Sequence, residues 1–593
     1  MPDAMKYTPR IHGPLPLVIG ITGHRDLREE DHERLAEQIR KIFVDLQNRY
    51  PATALFLLSP LAEGADRLAA RVALDMGIHL AVPLPMPKDE YEHDFTTPES
   101  KAEFGKLLGR AERSFDLSSG DVPEVTNLKT REGRNRLYAQ VGAYIARHSQ
   151  ILIALWDGVD SQKPGGTADV IRFKLQGVPP PYAPPPNPLD AVESGPVYII
   201  TTPRLSNPQP AGEPFQLCKR FPDGHKDEAA AEKAYDRIYK HFDEFNRDTQ
   251  RLGDRLAEAR ERSKSYLFSA EQEKLLPRNA KFPVSVYTLA DSLAGHYQAL
   301  TLWTIRGLLL LVLLAAACFQ FYVFSESKPL AIVYLVLFAL AYALYLWARW
   351  RGYQNKHLDY RALAEGLRVH IFWRLAGLKD SVADHYLRKQ RDELDWIRQA
   401  LRVWSIPTRL ETQAGIQHVV DIDGADFVGV PTRLETQPGV LPQRMDVVLK
   451  RWVQDQAHYF DGTMRRYDKG NRRIRFFQHG FFLASLALGV IKVFLESSHP
   501  IIIAIYLTIV VAALLHFYGK FLGLAELAKQ YARMRELFRR GEECLQPCLK
   551  AGNYAKAQIL LHRLGQEALV ENGDWILLHR ERPLEVPSAG GTG

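Results

Sequence analysis

Two hydrophobic patterns divide the chain. Between Leu17 and Arg204, short apolar runs alternate with stretches of helical spacing. "LPLVIGIT" is a continuous apolar run. "EDHERLAEQIRKIFVDLQNRY" sets Leu35, Ile39, Ile42, Phe43 and Leu46 at the intervals of one helix face. "TALFLLSPLAEGADRLAARVALDMG" reads as strand, turn and helix, "IHLAVPLP" as a strand and "RLYAQVGAYIARHS" as a helix. "QILIALWDG" and "GPVYIITTPR" read as two more strands. Apolar strands alternating with helices predict an α/β domain over 1–205, built on a parallel sheet covered on both faces.

The second half carries a different pattern. Leu308–Phe324 and Pro329–Ala348 are uncharged and are separated only by "SESK"; Phe476–Leu495 and Pro500–Gly519 form a second such pair, joined by "ESSH". Each run is close to the ~20 residues that a helix needs to cross the hydrocarbon core. Four spans in two short hairpins are therefore expected in an all-helical region. Flanking charge orients them. Arg306 precedes the first span, and Arg349, Arg351 and Lys356 follow the second. Arg465, Arg466, Lys469, Arg472, Arg473 and Arg475 approach the third, and Lys520 follows the fourth. The hairpins carry only Lys328 among basic residues. The hairpins are expected to face outward, with both termini in the cytoplasm of a bacterial inner membrane. Lys492 and Gln320 fall near the outer ends of their spans, and Lys492 is expected to snorkel to the headgroups. His479 and His516 fall toward the cytoplasmic ends.

Between and around these blocks the pattern is helical. Residues 206–300 read as a helical connector, charged from 228 to 270. The first hairpin with its cytoplasmic helices occupies 301–403, and the second occupies 445–593. A linker at 404–444 repeats "PTRLETQAG" (407–415) as "PTRLETQPG" (431–439), and two copies are too few for a solenoid. Residues 178–196 form a proline-rich insertion.

Composition narrows the function classes. A net charge of +7 over 593 residues is too small to imply nucleic-acid binding. Cys218, Cys318, Cys544 and Cys548 are too few for a disulfide framework, and the pair at 544 and 548 supplies only two ligands, so no metal site is expected. "MPDAMKYTPR" lacks the apolar core of a cleaved signal peptide.

Candidate chemistry lies where strands end. In an open parallel sheet, ligands bind beyond the carboxyl ends of the strands. Thr22, Gly23, His24 and Arg25 follow the first strand. Ser59 closes the second, and Glu63, Gly64, Ala65 and Asp66 open a helix. Asp157 and Gly158 close a later strand, and Gly165, Gly166 and Thr167 open the next helix. Glycines permit close backbone approach, and free amides at a helix start attract anions. Arg25 would supply charge for a phosphate, and Asp66 or Glu63 could accept from a ribose hydroxyl. Each motif alone has a plainer reading as a turn or a cap; three on one sheet point to a nucleotide-like ligand.

"GITGHRDL", "SPLAEGADRLAA", "ALWDG" with "GGTADV", and "GPVYIITTPR" together resemble the SLOG superfamily of Rossmann-like nucleotide-sensing domains, over about the first 205 residues. That superfamily includes the "lonely guy" phosphoribohydrolases and the DNA-uptake processing proteins. "YRALAEGLRVHIFWRLAGL" and "LGQEALVENGDWILLHRERPLEV" resemble SLATT domains, membrane effectors of two spans plus cytoplasmic helices. The resemblance implies an anti-phage conflict system in which a nucleotide second messenger triggers a membrane pore. Four spans cannot enclose a wide pore, so a homo-oligomer is implied. The hydrolases carry a Pro-Gly-Gly-x-Gly-Thr loop and a catalytic acid. Here Pro164, Gly165 and Gly166 run straight into Thr167, Ala168 and Asp169, so binding is favoured over hydrolysis. The alternative is a tethered nucleotide hydrolase using Glu63, Asp66, Asp157 or Asp169. A transporter would require facing polar residues at the bilayer midplane, and the spans show almost none there.

Overall fold

A computed structural model of the protein describes residues 13–117, 130–160, 164–183, 192–386, 394–405, 439–495 and 499–580. The repeated "PTRLETQ" segment, part of the proline-rich insertion and most of "ESSH" lie outside them. The chain forms two compact units. The first comprises Met1–Glu258, Leu276–Leu289 and Gly377–Gln437, and the second Ala259–Leu275, Ala290–Ala376 and Pro438–Gly593.

The first unit is built on seven strands: β1 (Leu17–Gly23), β2 (Leu55–Leu58), β3 (His79–Leu84), β4 (Arg113–Asp116), β5 (Ile151–Trp156), β6 (Val197–Thr201) and β7 (Leu217–Arg220). Their order is β4-β3-β2-β1-β5-β6-β7. Ile19 pairs with Leu57 on one side and Ile151 on the other, both in parallel register. All pairings are parallel except β6 with β7. An antiparallel edge strand is therefore added to the expected parallel sheet. β4 ("RSFD") and β7 ("LCKR") lack the apolar runs that mark the inner strands, because an edge strand buries less.

The connecting helices are α1 (His32–Arg49), α2 (Ala65–Asp75), α3 (Lys88–Tyr91), α4 (Pro98–Arg110), α5 (Arg131–His148) and α6 (Thr167–Gln176). α1 packs on α2, and α5 packs on α6. Right-handed crossovers place these pairs on opposite faces of the sheet. Strand order reverses between β1 and β5. Leu17, Ile19, Leu57, Ile151 and Leu155 are fully buried there, forming the core beneath that reversal.

α7 (Glu228–Leu252) closes the opposite, amino edge. The Asn246 Oδ1 accepts from the Leu15 amide at 3.0 Å, and its Nδ2 donates to the Leu15 carbonyl at 2.7 Å. The Asp243 Oδ1 accepts from the Ala52 amide at 2.7 Å. Polar side chains of α7 thus satisfy backbone groups just before β1 and β2, which burial would otherwise leave unpaired. Gly377–Tyr386 and Leu394–Ser405 also pack in this unit, although their periodicity attaches them to the first hairpin. Trp396 is buried against Phe242 and Phe245.

The second unit is helical. It contains α8 (Ala257–Leu267) for most of its length, α9 (Ala270–Glu273), most of α10 (Arg278–Ser325), α11 (Lys328–Arg351) and α12 (Tyr353–Leu375). α13 (Asp395–Val403) belongs to the first unit. α14 (Leu441–Val448), α15 (Asp455–Phe494), α16 (His499–Leu522), α17 (Leu524–Lys550) and α18 (Tyr554–Arg580) complete the second. Four helical stretches are long and apolar enough to cross a membrane, with peak mean hydropathies of 2.3, 2.3, 1.5 and 2.4. They contain the four runs read from the sequence, save Leu495 at the end of the third, and continue beyond them.

Candidate functional site

The carboxyl ends of β1, β2 and β5 gather all three candidate segments. Gly23 and Gly64 let α2 approach β1 closely. A Cβ on Gly23 would lie 2.4 Å from the Ala65 Cβ, and one on Gly64, whose φ is +77°, would lie 2.5 Å from the Arg25 carbonyl oxygen. The Ala65 amide donates to the His24 carbonyl at 3.1 Å, so this helix start is already spent on β1. Ser59 is fully buried; its hydroxyl donates to the Asp66 carbonyl at 3.3 Å and accepts from the Leu61 amide at 3.2 Å. Leu61 holds a left-handed φ of +59°, a conformation that costs a branched residue about 1 kcal/mol or more. The Arg67 Nε donates to its carbonyl at 3.1 Å and pins it.

His24 and Asp157 meet across the strand reversal. The Asp157 Oδ1 lies 3.0 Å from the His24 Nε2 and accepts from the Val159 amide at 3.1 Å. Its Oδ2 accepts from the Arg204 Nε at 2.8 Å and the Asn207 Nδ2 at 3.0 Å. Burial alone would raise this carboxyl. Asn207, the Val159 amide, His24 and Arg204 outweigh burial and hold it below the usual carboxylate range. Burial outweighs Asp157 at the His24 imidazole, which is held below its usual value. Asp157 is fully buried with its acceptors occupied, and it locks β1, β5 and the loop after β6 together. Gly158, at φ +82°, lets that loop pass; a Cβ there would lie 2.8 Å from the Ala211 Cβ. Thr22, one residue inside β1, is 9% exposed.

The third segment borders the same crevice through α5. A Cβ on Gly165 (φ +72°) would lie 2.6 Å from the Ala139 amide nitrogen. The Arg25 guanidinium stands 5.4 Å from the ring centroid of the neighbouring Tyr138. Gly166 caps α6, and Thr167 begins it. The Asp169 Oδ2 accepts from the Gly165 amide at 3.0 Å, and its Oδ1 pairs with Arg172 at 2.8 Å. Glu63 bonds Ser100. Of the four acids considered for chemistry, Asp66 is the least committed; its Oδ2 accepts from the Ala62 amide at 3.3 Å. It is 5% exposed, and burial pushes its carboxyl up to about 7 against the opposing charge of Arg25. Arg25 itself is exposed, and among the described residues it makes no ion pair within 4.0 Å.

Sequence reasoning missed several residues that shape this place. Tyr91 and Tyr138 flank Arg25, and Asp94 is held by Tyr138 and Arg134. Arg204 and Asn207 bind Asp157. Arg204 is the last residue of "GPVYIITTPR", and Tyr138 lies in "RLYAQVGAYIARHS", which reads only as a helix. The others sit in helices and loops whose local pattern carries no signal of the crevice. Among the described residues no group of three metal-ligating side chains occurs.

The membrane helices of the second unit touch one another. Phe319 packs on Tyr334 between the first and second spans, and Phe324 on His499 between the first and fourth. The Ser485 hydroxyl donates to the Ile505 carbonyl at 3.4 Å between the third and fourth.

Residues 284–396 match the family described as SMODS and SLOG-associating 2TM effector domain 3. The match covers α11 and α12 entire, most of α10 and the start of α13. It begins inside the stretch read as connector. No curated protein matches the chain. α15 to α17 follow the plan of α10 to α12. In both, a long helix enters the hairpin, and a returning span ends at a left-handed glycine that starts a further helix. These glycines are Gly352 at φ +62° and Gly523 at φ +57°.

Proposed function

We propose that this chain is a membrane effector of a cellular conflict or defence system. Its sheet unit binds a nucleotide-derived anion, and its spans assemble into an oligomeric pore. One observation carries the reading: an exposed arginine that makes no ion pair within 4.0 Å among the described residues stands at the strand reversal of a largely parallel sheet, on a chain whose first hairpin matches a membrane-effector family. Arg25 receives the phosphate, Gly158 and Gly166 admit it to the backbone, and Asp66 faces the sugar. The N-terminal α/β sheet is compatible with a SLOG domain, and the shared plan of the two hairpins supports a second SLATT-like element at 445–593. Flanking charge supports a cytoplasmic side for both termini. The chain passes from one unit to the other at Glu258, Leu275, Leu289, Ala376 and Gln437. A ligand that prefers one arrangement of the first unit is thereby tethered to the spans.

The test uses the full chain in detergent and then in liposomes. Small molecules released on denaturation are identified by mass spectrometry, and a nucleotide panel is screened by thermal shift. A melting rise of several degrees, lost in Arg25→Ala and Gly166→Glu, is expected, followed by ligand-dependent ion release from liposomes. No shift with any nucleotide, or a shift indifferent to Arg25→Ala, overturns the reading. Conversion of the bound nucleotide to product, lost in Asp66→Asn, would instead favour the tethered hydrolase, with Asp66 as its acid.

A further inference from the structure

The approach of α15 to its span carries six cations between Arg465 and Arg475, and all six are exposed. At about 100° per residue, Arg465, Arg466, Lys469, Arg472 and Arg473 fall within an arc of about 120°. The opposite face of the helix is the packed one: Phe460 and Thr463 are buried, and Phe460 and Tyr467 stack on Tyr531 of α17 at 5.8 and 5.5 Å. The stripe is therefore the solvent face of a helix anchored from behind. Asp461 pairs with Arg465 at 2.9 Å and Asp468 with Arg472 at 2.5 Å, both from the edge of the arc. Among the described residues, Arg466, Lys469, Arg473 and Arg475 make no ion pair within 4.0 Å.

The helix runs without a break from this stripe into the third span, whose first residues, Phe476 and Phe477, are exposed. At ~1.5 Å per residue, Arg472, Arg473 and Arg475 lie about 2–6 Å from Phe476, within a headgroup layer roughly 5–8 Å deep. Arg466 and Lys469 lie about 10–15 Å away, within about two Debye lengths of the surface at physiological salt. Excess cations so close to a bilayer meet phosphate in every lipid. Only a headgroup with net negative charge lowers the energy of unpaired arginines over a zwitterionic one. We infer that this stripe is a docking surface selective for anionic phospholipid headgroups in the leaflet it faces. The inference is independent of the nucleotide reading of the first unit.

The test is native mass spectrometry of the full chain, delipidated in neutral detergent and titrated with phosphatidylglycerol or phosphatidylcholine. Three variants are compared: R466Q/K469Q/R473Q, the charge-keeping R466K/R473K, and a net-charge control, K88Q/K101Q/K106Q, on the first unit. Each cation near a charged surface contributes about fivefold. Wild type, the charge-keeping variant and the control are expected to retain phosphatidylglycerol over phosphatidylcholine by at least tenfold. The triple glutamine variant is expected to lose at least tenfold of that preference. No preference in wild type, or a preference undiminished in R466Q/K469Q/R473Q, overturns the inference. So does inorganic phosphate that displaces phosphatidylglycerol at millimolar concentration, which would mark a site for free phosphate. Displacement by a 20-residue oligonucleotide with the same dependence on the three cations would mark a nucleic-acid surface and equally overturns it.

Discussion

At the scale of single residues, two aspartates that look alike in sequence play opposite roles. Asp157 is a buried anchor with four polar partners, and Asp66 is a buried carboxyl that faces one exposed arginine. Asp157→Ala leaves Arg204 and the Val159 amide without their acceptor, and a loss of about 2–4 kcal/mol is expected in denaturant unfolding. Because this carboxyl is held low, its stabilisation is present at neutral pH and disappears as pH falls below about 4. Asp66 behaves in reverse. Its folded form keeps a proton up to about 7, so the unfolded chain releases protons first and stability falls as pH rises from about 4 to about 7. Asp66→Asn should flatten that slope and stabilise the sheet unit by about 1–4 kcal/mol at pH 8. Melts at pH 5 and pH 8 read this directly; an unchanged slope would refute it. Both aspartates are visible in the sequence as strand-end acids. Their difference is not, because it depends on Arg204 and Asn207, some fifty residues further on.

At the scale of elements, legibility followed burial. β1, β2, β3, β5 and β6 are apolar runs because both their faces are covered. β4 keeps one deeply buried apolar side chain, Phe115, and β7 none, so neither produces a run that periodicity detects. The spans are legible for the same reason in a different solvent. Lys492 directs its ammonium to the Leu495 carbonyl at 3.2 Å, toward the hairpin end of the third span. α7 shows what periodicity leaves out. Its buried Asn246 joins the Leu15 amide and carbonyl and the Thr53 hydroxyl. Asn246→Ala should cost about 2–3 kcal/mol, since buried backbone groups lose their partners, whereas Asn246→Asp should restore only the accepted bond. Thermal unfolding of both variants checks this. Gly523→Val should lower the melting point of the membrane unit, because a β-branched residue at φ +57° costs more than about 1 kcal/mol.

At the scale of the whole molecule, the first unit is assembled from distant parts of the chain. Arg402 pairs with Glu193 and, at 2.9 Å, with Asp384; Arg147 reaches Glu193 at 3.3 Å and Asp384 at 2.7 Å. Within this cluster Lys174 donates to the Ala146 and Ser149 carbonyls at the end of α5. Burial, with Arg402 nearby, brings its ammonium down to about 7. The Trp404 Nε1 donates to the Pro14 carbonyl at 3.4 Å. A fragment of residues 1–258 keeps the Arg147–Glu193 pair but lacks Asp384 and Arg402, which complete it, and Trp396, which covers Phe242 and Phe245. It should aggregate or melt many degrees below the full chain, and adding residues 377–405 should restore it. Size-exclusion chromatography and calorimetry decide the matter; a fragment that melts like the full chain would refute it.

The sequence alone determined what local pattern encodes: inner strands as apolar runs, spans as uncharged stretches of bilayer length, and glycines where strands must turn closely. These follow from solvent transfer and backbone sterics, which act over a few residues. Tertiary structure alone decided which of the strand-end groups are consumed by the fold. Ser59, Ala65 and Asp157 are spent on hydrogen bonds, and Arg25 is left exposed. It also decided that Gly377–Tyr386 and Leu394–Ser405 pack with the sheet unit. Those outcomes rest on pairings across tens to hundreds of residues, and a charge has no preferred partner until folding brings one within a few ångströms of it.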